Sequence, residues 1–403
     1  MKKTIAAAMF SLLMSSTAHA ACGFQNAVPL KSLTAAFDAW KAVTATMAEC
    51  GNVRSELDQD FRLKQPAAFA ANPSLYQIGG VSNGTLVPLL NGGTIRPLDA
   101  LVAKYGQDLQ PNQLIKVDGK IMSVAMDVND QHLMYRTDIL QELVIAVPTN
   151  WDEVLDAAAK IKASGKVAYP IGGTIKPGFD LGLDFTNLFL GFGGQFTKAD
   201  NTPSINSPAG LKTLEMLKKI TAYMDPEYLV SDSTFVQKQF QQGKIAMANL
   251  WATRAAALDD PKESQVVGKI GLAAAPAAVK GGKPATTLWW DGIVIAKNIP
   301  DAEADAAFRV AIAGMGESTL KAAPGAAVWL IKGYTPGKFA TGAIASANAG
   351  APPYPSSTVY GLVASAVGDG VADFLTGKKT AEKTLADIEA AYLVKAKEQG
   401  LVK

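Results

Sequence analysis

This sequence contains few of the residues on which most catalytic and metal sites depend. Its 403 residues include two histidines, His19 and His132, and two cysteines, Cys22 and Cys50. A zinc site with two or more histidines is excluded beyond residue 20, where only His132 remains. A Ser-His-Asp or Cys-His site would depend on that same histidine. We therefore expect no metal, no cofactor and no catalytic residue.

An excess of charge of either sign is also missing. The chain has 38 lysines and arginines against 36 aspartates and glutamates, so its formal net charge is +2. Lys2 and Lys3 account for that surplus. A neutral surface offers no electrostatic footprint for nucleic acid or anionic lipid. Beyond the first twenty residues we find no apolar run of membrane-spanning length, and we expect a soluble protein without nucleic-acid partners.

The first twenty residues have the three parts of a secretory signal peptide. Met1-Lys2-Lys3 is the positive start, residues 5–14 form a short apolar run, and Ala18-His19-Ala20 has the small-x-small pattern of a cleavage site. We expect cleavage after Ala20 and a periplasmic protein. A buried first helix and a lipoprotein anchor at Cys22 are the alternatives. The anchor is disfavoured because His19 stands where such signals have a leucine-like residue.

Both cysteines follow the predicted signal peptide. In an oxidising compartment they are most simply explained as one disulfide, Cys22–Cys50, which would join the mature N-terminus to the end of the first helix. Two free buried thiols are the alternative. A closed loop of this size contributes about 3 kcal/mol in the chain-entropy model.

Apolar periodicity predicts strands that alternate with helices along the chain. Apolar runs predict strands over 28–33, 53–61, 75–81, 121–128, 133–136, 167–173, 245–250 and 286–296. Helical spacing predicts helices over 34–48, 149–163, 185–192, 208–223, 234–242, 302–314, 359–375 and 380–397. Residues 174–184, rich in Gly, Pro and Asp, are predicted to form a loop. This alternation indicates an α/β protein whose parallel sheets are covered on both faces.

Four phrases of the sequence resemble segments of one protein family. They are Tyr135-Arg136-Thr137-Asp138 with residues 148–153, residues 240–247 followed by Trp251, residues 93–99, and the tail segments 352–360 and 377–388. In this order they are similar to the extracellular solute-binding proteins of ABC importers, in the carbohydrate-type family that includes maltose-binding protein. Arg136 departs from the family, which usually has asparagine there. The residues before Gly92 match only in their order of strands and helices.

The resemblance implies a two-lobed periplasmic-binding-protein fold, each lobe a mostly parallel sheet flanked by helices, with the ligand in the cleft between them. Crossovers near 125–129, 273–276 and 322–326 would divide the chain into a signal peptide (1–20), an N-terminal lobe (21–127 plus 275–323) and a C-terminal lobe (128–274 plus 324–403). Ligand binding would close the cleft by a hinge motion. We expect a monomer that delivers its ligand to the permease subunits of an ABC transporter.

Aromatic side chains near strand ends are the expected ligand-stacking residues. The C–H face of a pyranose ring is apolar and stacks on Trp or Tyr. Trp251 follows a predicted strand and matches an aromatic position of the family. Trp289 and Trp290 are neighbours on one strand, so at most one should face the cleft, on the same side as Asp291. Tyr360 matches an aromatic near the family's penultimate helix.

Polar side chains just beyond strands complete the predicted site. Sugar hydroxyls need planar donors and acceptors, and sites in such sheets lie beyond the carboxyl ends of strands. The predicted polar ligand residues are Asp291, Asp127, Asn129, Asp180, Asp184, Ser82, Asn83 and Arg254. Asp127 and Asn129 belong to the first predicted crossover, and Asp180 and Asp184 to the predicted loop.

These residues favour capture of a sugar or polyol for import, without catalysis. A quaternary ammonium solute is an alternative ligand, for which Trp251, one of the paired tryptophans and Tyr360 would form an aromatic cage. Asp127 or Asp180 would then balance its charge. A secreted glycoside hydrolase using two carboxylates is the alternative of a different class. A phosphorylated ligand is disfavoured because the arginines are few and scattered along the sequence.

Overall fold

The computed structural model describes residues 22–403, in which eleven strands form two sheets. The predicted signal peptide and its cleavage after Ala20 lie outside these residues. The strands are β1 (Asn26–Thr34), β2 (Gly51–Leu57), β3 (Ile78–Ser82), β4 (Leu114–Val117), β5 (Lys120–Asn129), β6 (Gln131–Arg136), β7 (Tyr169–Gly172), β8 (Ile245–Trp251), β9 (Ile270–Ala273), β10 (Trp289–Ile295) and β11 (Val328–Trp329).

Fifteen α-helices of the described chain connect and cover these strands. They are α1 (Asp38–Glu49), α2 (Phe61–Ala70), α3 (Asn83–Asn91), α4 (Asp99–Tyr105), α5 (Thr137–Glu142), α6 (Trp151–Ser164), α7 (Phe179–Gly191), α8 (Pro208–Thr221), α9 (Ser233–Gln241), α10 (Asp301–Gly314), α11 (Glu317–Ala322), α12 (Thr341–Asn348), α13 (Thr358–Gly370), α14 (Ala372–Leu375) and α15 (Ala381–Glu398).

The two sheets differ in size and both mix strand directions. The larger has the order β11–β5–β10–β3–β1–β2 with β4 also paired to β5, and the smaller has the order β7–β8–β6–β9. Only β1–β2, β1–β3 and β7–β8 are parallel pairs within these sheets. The α/β class is confirmed, but the prediction of mostly parallel sheets is wrong. Strands that return from the other sheet, such as β10, enter antiparallel to their new neighbours.

Each sheet has its own hydrophobic core, and we call the larger sheet with its core the first lobe and the smaller the second lobe. Trp40 of α1 is buried in the first core, and Trp151 of α6 in the second. Burial of a large apolar side chain contributes about 1.5–3 kcal/mol. Two such cores stabilise two bodies, between which the chain passes three times.

The first passage between the lobes is a single residue. β5 of the first sheet ends at Asn129 and β6 of the second begins at Gln131, so Asp130 is the junction. Asp130 is fully buried. The prediction of a crossover over 125–129 therefore falls just short of the observed position.

The other two passages lie further along the chain than predicted. Ala278 and Ala285 are buried in the second core, so the second passage comes between Ala285 and Trp289. β11 pairs with β5, and Ile331 is buried in the first core, so the third passage follows Ile331. The predicted lobe assignment is thus wrong for residues 275–285 and 324–331. These segments are rich in alanine, which carries little periodic signal.

Helix α7 replaces most of the predicted loop over 174–184. It begins at Phe179, directly after Gly178, which has a positive φ of 95°. Gly182 reads as a loop residue in the sequence, but here it allows close helix packing. A Cβ atom at Gly182 would lie 3.1 Å from the Ala364 carbonyl oxygen of α13. Asp180 and Asp184 are therefore helical residues, not loop residues.

Helix α2 replaces the end of the strand predicted over 53–61. β2 ends at Leu57, and Phe61, Gln65 and Phe69 of α2 are buried at helical spacing. Pro66 inside this helix hides the pattern in the sequence. Helix α1 likewise begins at Asp38 rather than at residue 34.

Two remaining expectations concern the termini of the fold. Cys22 and Cys50 form the predicted disulfide, with their Cα atoms 5.3 Å apart. The prediction of no further apolar run of membrane-spanning length is wrong. By length and composition alone, Thr358–Leu375 is long and apolar enough to cross a membrane. In the fold this segment forms α13 and α14, and Val363, Val367 and Leu375 are buried in the second core. The segment is therefore a core element here.

Candidate ligand-binding site

A cavity of about 100 Å³ lies where the two lobes meet, and we call it the inner cavity. It is lined by both lobes, which places it in the cleft between them. The first lobe contributes Ala35, Phe37, Gln59, Phe61, Arg62, Ser82, Thr85, Asn129, Trp289 and Asp291, and the second contributes Phe179, Asp180, Ser233, Trp251, Thr253 and Arg254.

Two larger cavities differ in their relation to this site. An outer cavity of about 510 Å³ adjoins the inner one and shares Arg62, Thr85 and Phe179 with it. A surface groove of about 830 Å³ beside Cys22 and α10 contains none of the predicted ligand residues. Most of the ligand-binding residues predicted from the sequence therefore line the inner cavity.

Trp289 is the centre of an aromatic group at the inner cavity. Its ring meets Trp251 edge-on at 5.5 Å and 90°, and Phe179 at 5.7 Å and 79°. On another side it lies 3.8 Å from the ring of Tyr354. Trp289 is only 4% exposed, whereas Trp251 is half-buried. These edge-to-face contacts hold the rings in fixed orientations and leave part of Trp251 open to the cavity.

Strand β10 places alternate side chains on opposite faces, as expected for a strand. Trp289 and Asp291 line the inner cavity, and Trp290 between them packs against the first core. Trp290 is held through its backbone, because its N–H donates to Asn83 Oδ1 at 2.9 Å. Trp290 and Asn83 are therefore not lining residues of the inner cavity.

Asp127 and Asp291 form a buried carboxyl pair at the wall of the inner cavity, in which Asp291 is the lining residue. They are partners across β5 and β10, and the Asp291 N–H donates to Asp127 Oδ1 at 3.0 Å. Asp127 Oδ2 has no hydrogen-bond partner among the described residues. Burial, together with the neighbouring Asp291, raises the pKa of Asp127 well above its usual range. Burial raises the pKa of Asp291 to about 7. At neutral pH the pair therefore retains at least one proton, which can be donated in a hydrogen bond.

Asn129 connects the two lobes beside this pair. Its Nδ2 donates to Thr253 Oγ1 at 3.3 Å, across a sequence separation of 124 residues. Its Oδ1 is buried and has no partner within residues 22–403. A buried amide oxygen without a donor is costly, so a ligand hydroxyl at this position would stabilise the closed cleft.

Two arginines from opposite lobes reach the inner cavity. Arg254 donates to Gln237 Oε1 at 3.0 Å and to Ser233 Oγ at 3.1 Å, both neutral groups. Arg62 of α2 lies over the ring of Phe179, 4.1 Å from its centroid. Burial lowers the pKa of each guanidinium from its high ordinary value. The expectation that arginines stay scattered is wrong, because folding brings these two to one cavity.

The two aspartates of α7 have different surroundings. Asp180 lines the inner cavity, and burial raises its pKa to about 6 in spite of the opposing effect of Arg62. Asp184, one turn later, does not line it and accepts a hydrogen bond from Thr174 Oγ1 at 3.1 Å. Burial raises the pKa of Asp184 to about 8. Only Asp180 can contact a ligand in the inner cavity directly.

Two further predicted residues, Ser82 and Tyr360, line different cavities. Ser82 lines the inner cavity at the start of α3, where its N–H donates to Thr85 Oγ1 at 2.7 Å. Tyr360 lines the outer cavity instead, and its hydroxyl pairs with Thr186 Oγ1 at 2.7 Å. The inner cavity thus brings together Trp251, Trp289, Asp291, Asn129, Asp180, Ser82 and Arg254 of the predicted set, and leaves out Trp290, Tyr360, Asp127, Asp184 and Asn83.

Sequence reasoning missed several lining residues. Phe179 and Arg62 are the most important, because they meet across the cleft. Phe179 directly precedes the predicted Asp180 in the sequence. That position is the one feature from which it could have been predicted. Arg62 carried no signal, since its helix was hidden by Pro66. The other lining residues not predicted are Ala35, Phe37, Gln59, Phe61, Thr85, Ser233 and Thr253.

Comparison with known proteins identifies relatives along most of the chain. The chain is 31% identical to a probable amino-acid ABC transporter periplasmic-binding protein of Sinorhizobium fredii, over 34% of this chain and 32% of that one. It is 27% identical to a probable ABC transporter-binding protein of Deinococcus radiodurans, over 62% of this chain and 61% of that one. The chain therefore spans less than two thirds of the length of these curated relatives.

Among solved structures, the chain is similar to an ABC transporter solute-binding protein of Agrobacterium radiobacter in complex with ribitol. The TM-score is 0.80 at 21% identity, covering 91% of this chain and 98% of that one. A likeness at this identity establishes the fold, which is the two-lobed fold of periplasmic binding proteins. The family description "Bacterial extracellular solute-binding protein" matches residues 55–313, well over half of the chain. The chain therefore belongs to the bacterial extracellular solute-binding protein family.

Proposed function

We propose that this protein is the substrate-binding component of an ABC importer and captures a small polyol or monosaccharide by closing its two lobes. The observation that carries the proposal is the inner cavity, in which aromatic rings and polar side chains from both lobes face one small space. Trp251 and Trp289 would stack on the C–H surface of the ligand. Asp180, Asp291 and Arg254 would bind its hydroxyls.

The size of the inner cavity supports a small ligand. Sites for drug-sized molecules usually enclose about 300–1,000 Å³, whereas the inner cavity encloses about 100 Å³. The lobes are already in contact beside the outer cavity, where Asn91 Nδ2 donates to Thr358 Oγ1 at 3.0 Å across the cleft. A cavity of this volume favours a polyol or a single sugar over an oligosaccharide.

The charges of the inner cavity disfavour a quaternary ammonium ligand. Two guanidinium groups, those of Arg62 and Arg254, line the cavity and would repel a cation. The cage expected for such a ligand also lacks Tyr360, which lies at the outer cavity. Asp180 also lines the cavity and would attract a cation, but its single negative charge offsets only one of the two guanidinium charges.

We also propose binding without turnover. A carboxylate-dependent glycosidase needs two carboxyl groups on either side of the scissile bond. Asp127 and Asp291 are instead neighbours on adjacent strands, and Asp127 is fully buried away from the inner cavity. The ribitol complex of the Agrobacterium relative supports a polyol ligand, since that protein shares the fold.

The remaining parts of the proposal concern the protein's place in the cell. Secretion by residues 1–20 with cleavage after Ala20 would leave a periplasmic monomer. Its closed form would deliver the ligand to the permease subunits in the inner membrane. On the strand pairings and the two cores, the N-terminal lobe would comprise residues 22–129 and 286–331, and the C-terminal lobe residues 131–285 and 332–403.

The test is a thermal-shift screen followed by calorimetry on the purified mature protein. The panel contains ribitol, D-mannitol, D-glucose, maltose, glycine betaine, sn-glycerol 3-phosphate and an amino-acid mixture. A ligand specific for the folded state raises the melting temperature with the logarithm of its concentration. We expect ribitol, D-mannitol or D-glucose to do so. A shift with betaine, amino acids or the phosphate alone would contradict the ligand class.

A further inference from the structure

A relay of hydrogen bonds begins at Trp289 and leads away from the inner cavity. Trp289 Nε1–H donates to Thr287 Oγ1 at 3.0 Å. The Thr287 hydroxyl in turn donates to Asn187 Oδ1 of α7 at 3.0 Å. All three side chains are at least 96% buried, with 4%, 1% and 3% exposed for Trp289, Thr287 and Asn187. The indole of the central cavity ring is thus tied to the second lobe.

The relay continues through the first crossover to Asp184. Asn187 Nδ2 donates to Gln131 Oε1 at 2.9 Å, and Gln131 Nε2 donates to Thr174 Oγ1 at 3.0 Å. The Thr174 hydroxyl donates to Asp184 Oδ1 at 3.1 Å. Gln131 and Thr174 are buried, whereas Asp184 is only partly so. Five hydrogen bonds therefore link the cavity ring to a carboxyl group that does not line the inner cavity.

The two ends of this relay determine its direction. An indole N–H can only donate, and Asp184 Oδ1 accepts from the Thr174 hydroxyl at the other end of the relay. Every hydroxyl and amide between them must then accept on the Trp289 side and donate on the Asp184 side. We propose that Asp184 is a positioning residue, whose carboxyl group orients this relay and thereby the ring of Trp289 in the inner cavity.

The path of the relay connects it to closure of the cleft. Gln131 follows the junction residue Asp130, and Thr287 lies in the second passage between the lobes. Chains of buried hydrogen bonds polarise one another, so a change at one end is felt along the chain. Loss of the Asp184 acceptor would leave the Thr174 hydroxyl proton without its partner, so Gln131 and the rest of the relay would hold Trp289 less firmly relative to both passages.

The ionisation of Asp184 makes the proposal measurable. The groups that face it are Thr174, Gln131 and Asp180, and Asp180 is the one charged group among them. Burial, with the nearby Asp180, raises the pKa of Asp184 to about 8. A titration of Asp184 in the slightly alkaline range should therefore be visible at the Trp289 indole.

The first experiment follows the Trp289 indole N–H resonance in the mature protein labelled with ¹⁵N-tryptophan. The resonance is assigned by its loss in Trp289→Phe. We expect it to move with pH in the wild type and to move little in Asp184→Asn, which keeps an acceptor but does not titrate. It should be displaced at all pH values in Asp184→Leu and Thr174→Val. This experiment needs no ligand, so it decides the proposal even if the proposed function fails.

Thr186→Val is the matched control. Thr186 is buried on the same helix as Asp184, and its hydroxyl hydrogen-bonds to Tyr360 rather than to the relay. The Trp289 resonance should stay in place in this variant. An unchanged resonance in both Asp184→Leu and Thr174→Val would overturn the proposal. An equal displacement in Thr186→Val would overturn it as well, because the effect would then be general loosening.

A second experiment measures affinity for ribitol and rests on the proposed function. We expect Asp184→Leu and Thr287→Val to weaken binding about five- to tenfold, the effect of losing one buried hydrogen bond. Asp184→Asn should stay within about twofold of the wild type. Equal affinity for Asp184→Leu and the wild type would contradict the transmission to the cavity. Absence of any polyol or sugar binding to the wild type would refute the proposed function alone.

Discussion

The inner cavity and the aromatic cluster beside it, formed by Phe196, Tyr354, Tyr360 and the ring of Trp289, use similar side chains in opposite ways. In the cluster, Tyr360 packs against Tyr354 and Phe196 at 5.1 and 5.0 Å, and its hydroxyl is paired with Thr186. In the cavity, Asn129 Oδ1 has no partner among the described residues. Whether a buried polar group has a hydrogen-bond partner distinguishes residues that complete a core from residues that can bind a ligand. Aromatic content alone does not make that distinction.

Trp289 belongs to both regions, so Trp289→Ala should have the largest effect. It removes a ring that contacts Trp251, Phe179 and Tyr354. We expect the free energy of unfolding to fall by about 3–5 kcal/mol, the usual cost of such a truncation. Denaturant titration measures this. A loss below about 1.5 kcal/mol would mean that the cluster does not depend on Trp289.

Trp251→Ala should lower ligand affinity more than it lowers stability. Trp251 is half-buried and meets the cavity, so we expect ligand affinity to fall at least tenfold, or about 1.4 kcal/mol, with a smaller change in stability than in Trp289→Ala. Calorimetry with the ligand found in the screen measures the affinity. Trp290→Ala serves as the control, because that ring faces the first core. Affinity within about twofold of the wild type for Trp251→Ala would remove this residue from the site.

Tyr360→Phe should lower stability and leave ligand affinity unchanged. It removes the hydroxyl bonded to Thr186 and leaves the ring contacts in place. We expect the free energy of unfolding to fall by about 1 kcal/mol, with ligand affinity unchanged. Thr186→Val is the matching partner change, and the double variant should cost less than the two single changes together. A marked loss of affinity in Tyr360→Phe would show that the outer cavity takes part in binding.

Asp184→Asn should change how stability depends on pH. The raised pKa of about 8 means that the folded state holds this proton more tightly than the unfolded state, whose value is near the usual 3.8. The stabilisation is complete below that lower value and is lost as pH rises through about 8. The variant should therefore melt at a higher temperature than the wild type at alkaline pH, and the difference should shrink steadily as the pH falls from about 8 towards 3.8. A constant difference across this pH range would contradict the assignment.

Asn91→Ala should have the smallest effect. Asn91 is exposed and bonds to Thr358 across the cleft at 3.0 Å. Because the bond is exposed, we expect its loss to weaken ligand binding by only two- to threefold, or about 0.5 kcal/mol. Calorimetry measures the affinity, and Asn52→Ala on the first lobe is an exposed control. A loss above tenfold would indicate that this contact controls closure.

Local patterns predicted those parts of the fold that depend on one element at a time. The strand that carries Trp251 and the alternation of Trp289, Trp290 and Asp291 follow from periodicity within single strands. Helix α7 could not be predicted in this way, because Gly182 has the local signature of a loop. Its role depends on the close approach of α13, which lies far away in the sequence.

The sequence by itself determined which side chains share a face of a strand, where the disulfide forms, and which family phrases the chain carries. Only the tertiary structure decided that Arg62 meets Phe179, that Asp127 is buried behind Asp291, and that Tyr360 lies at the outer cavity. The physical reason is that periodicity encodes the direction of a side chain relative to its own backbone. Contacts between elements more than a hundred residues apart depend on how the two cores pack.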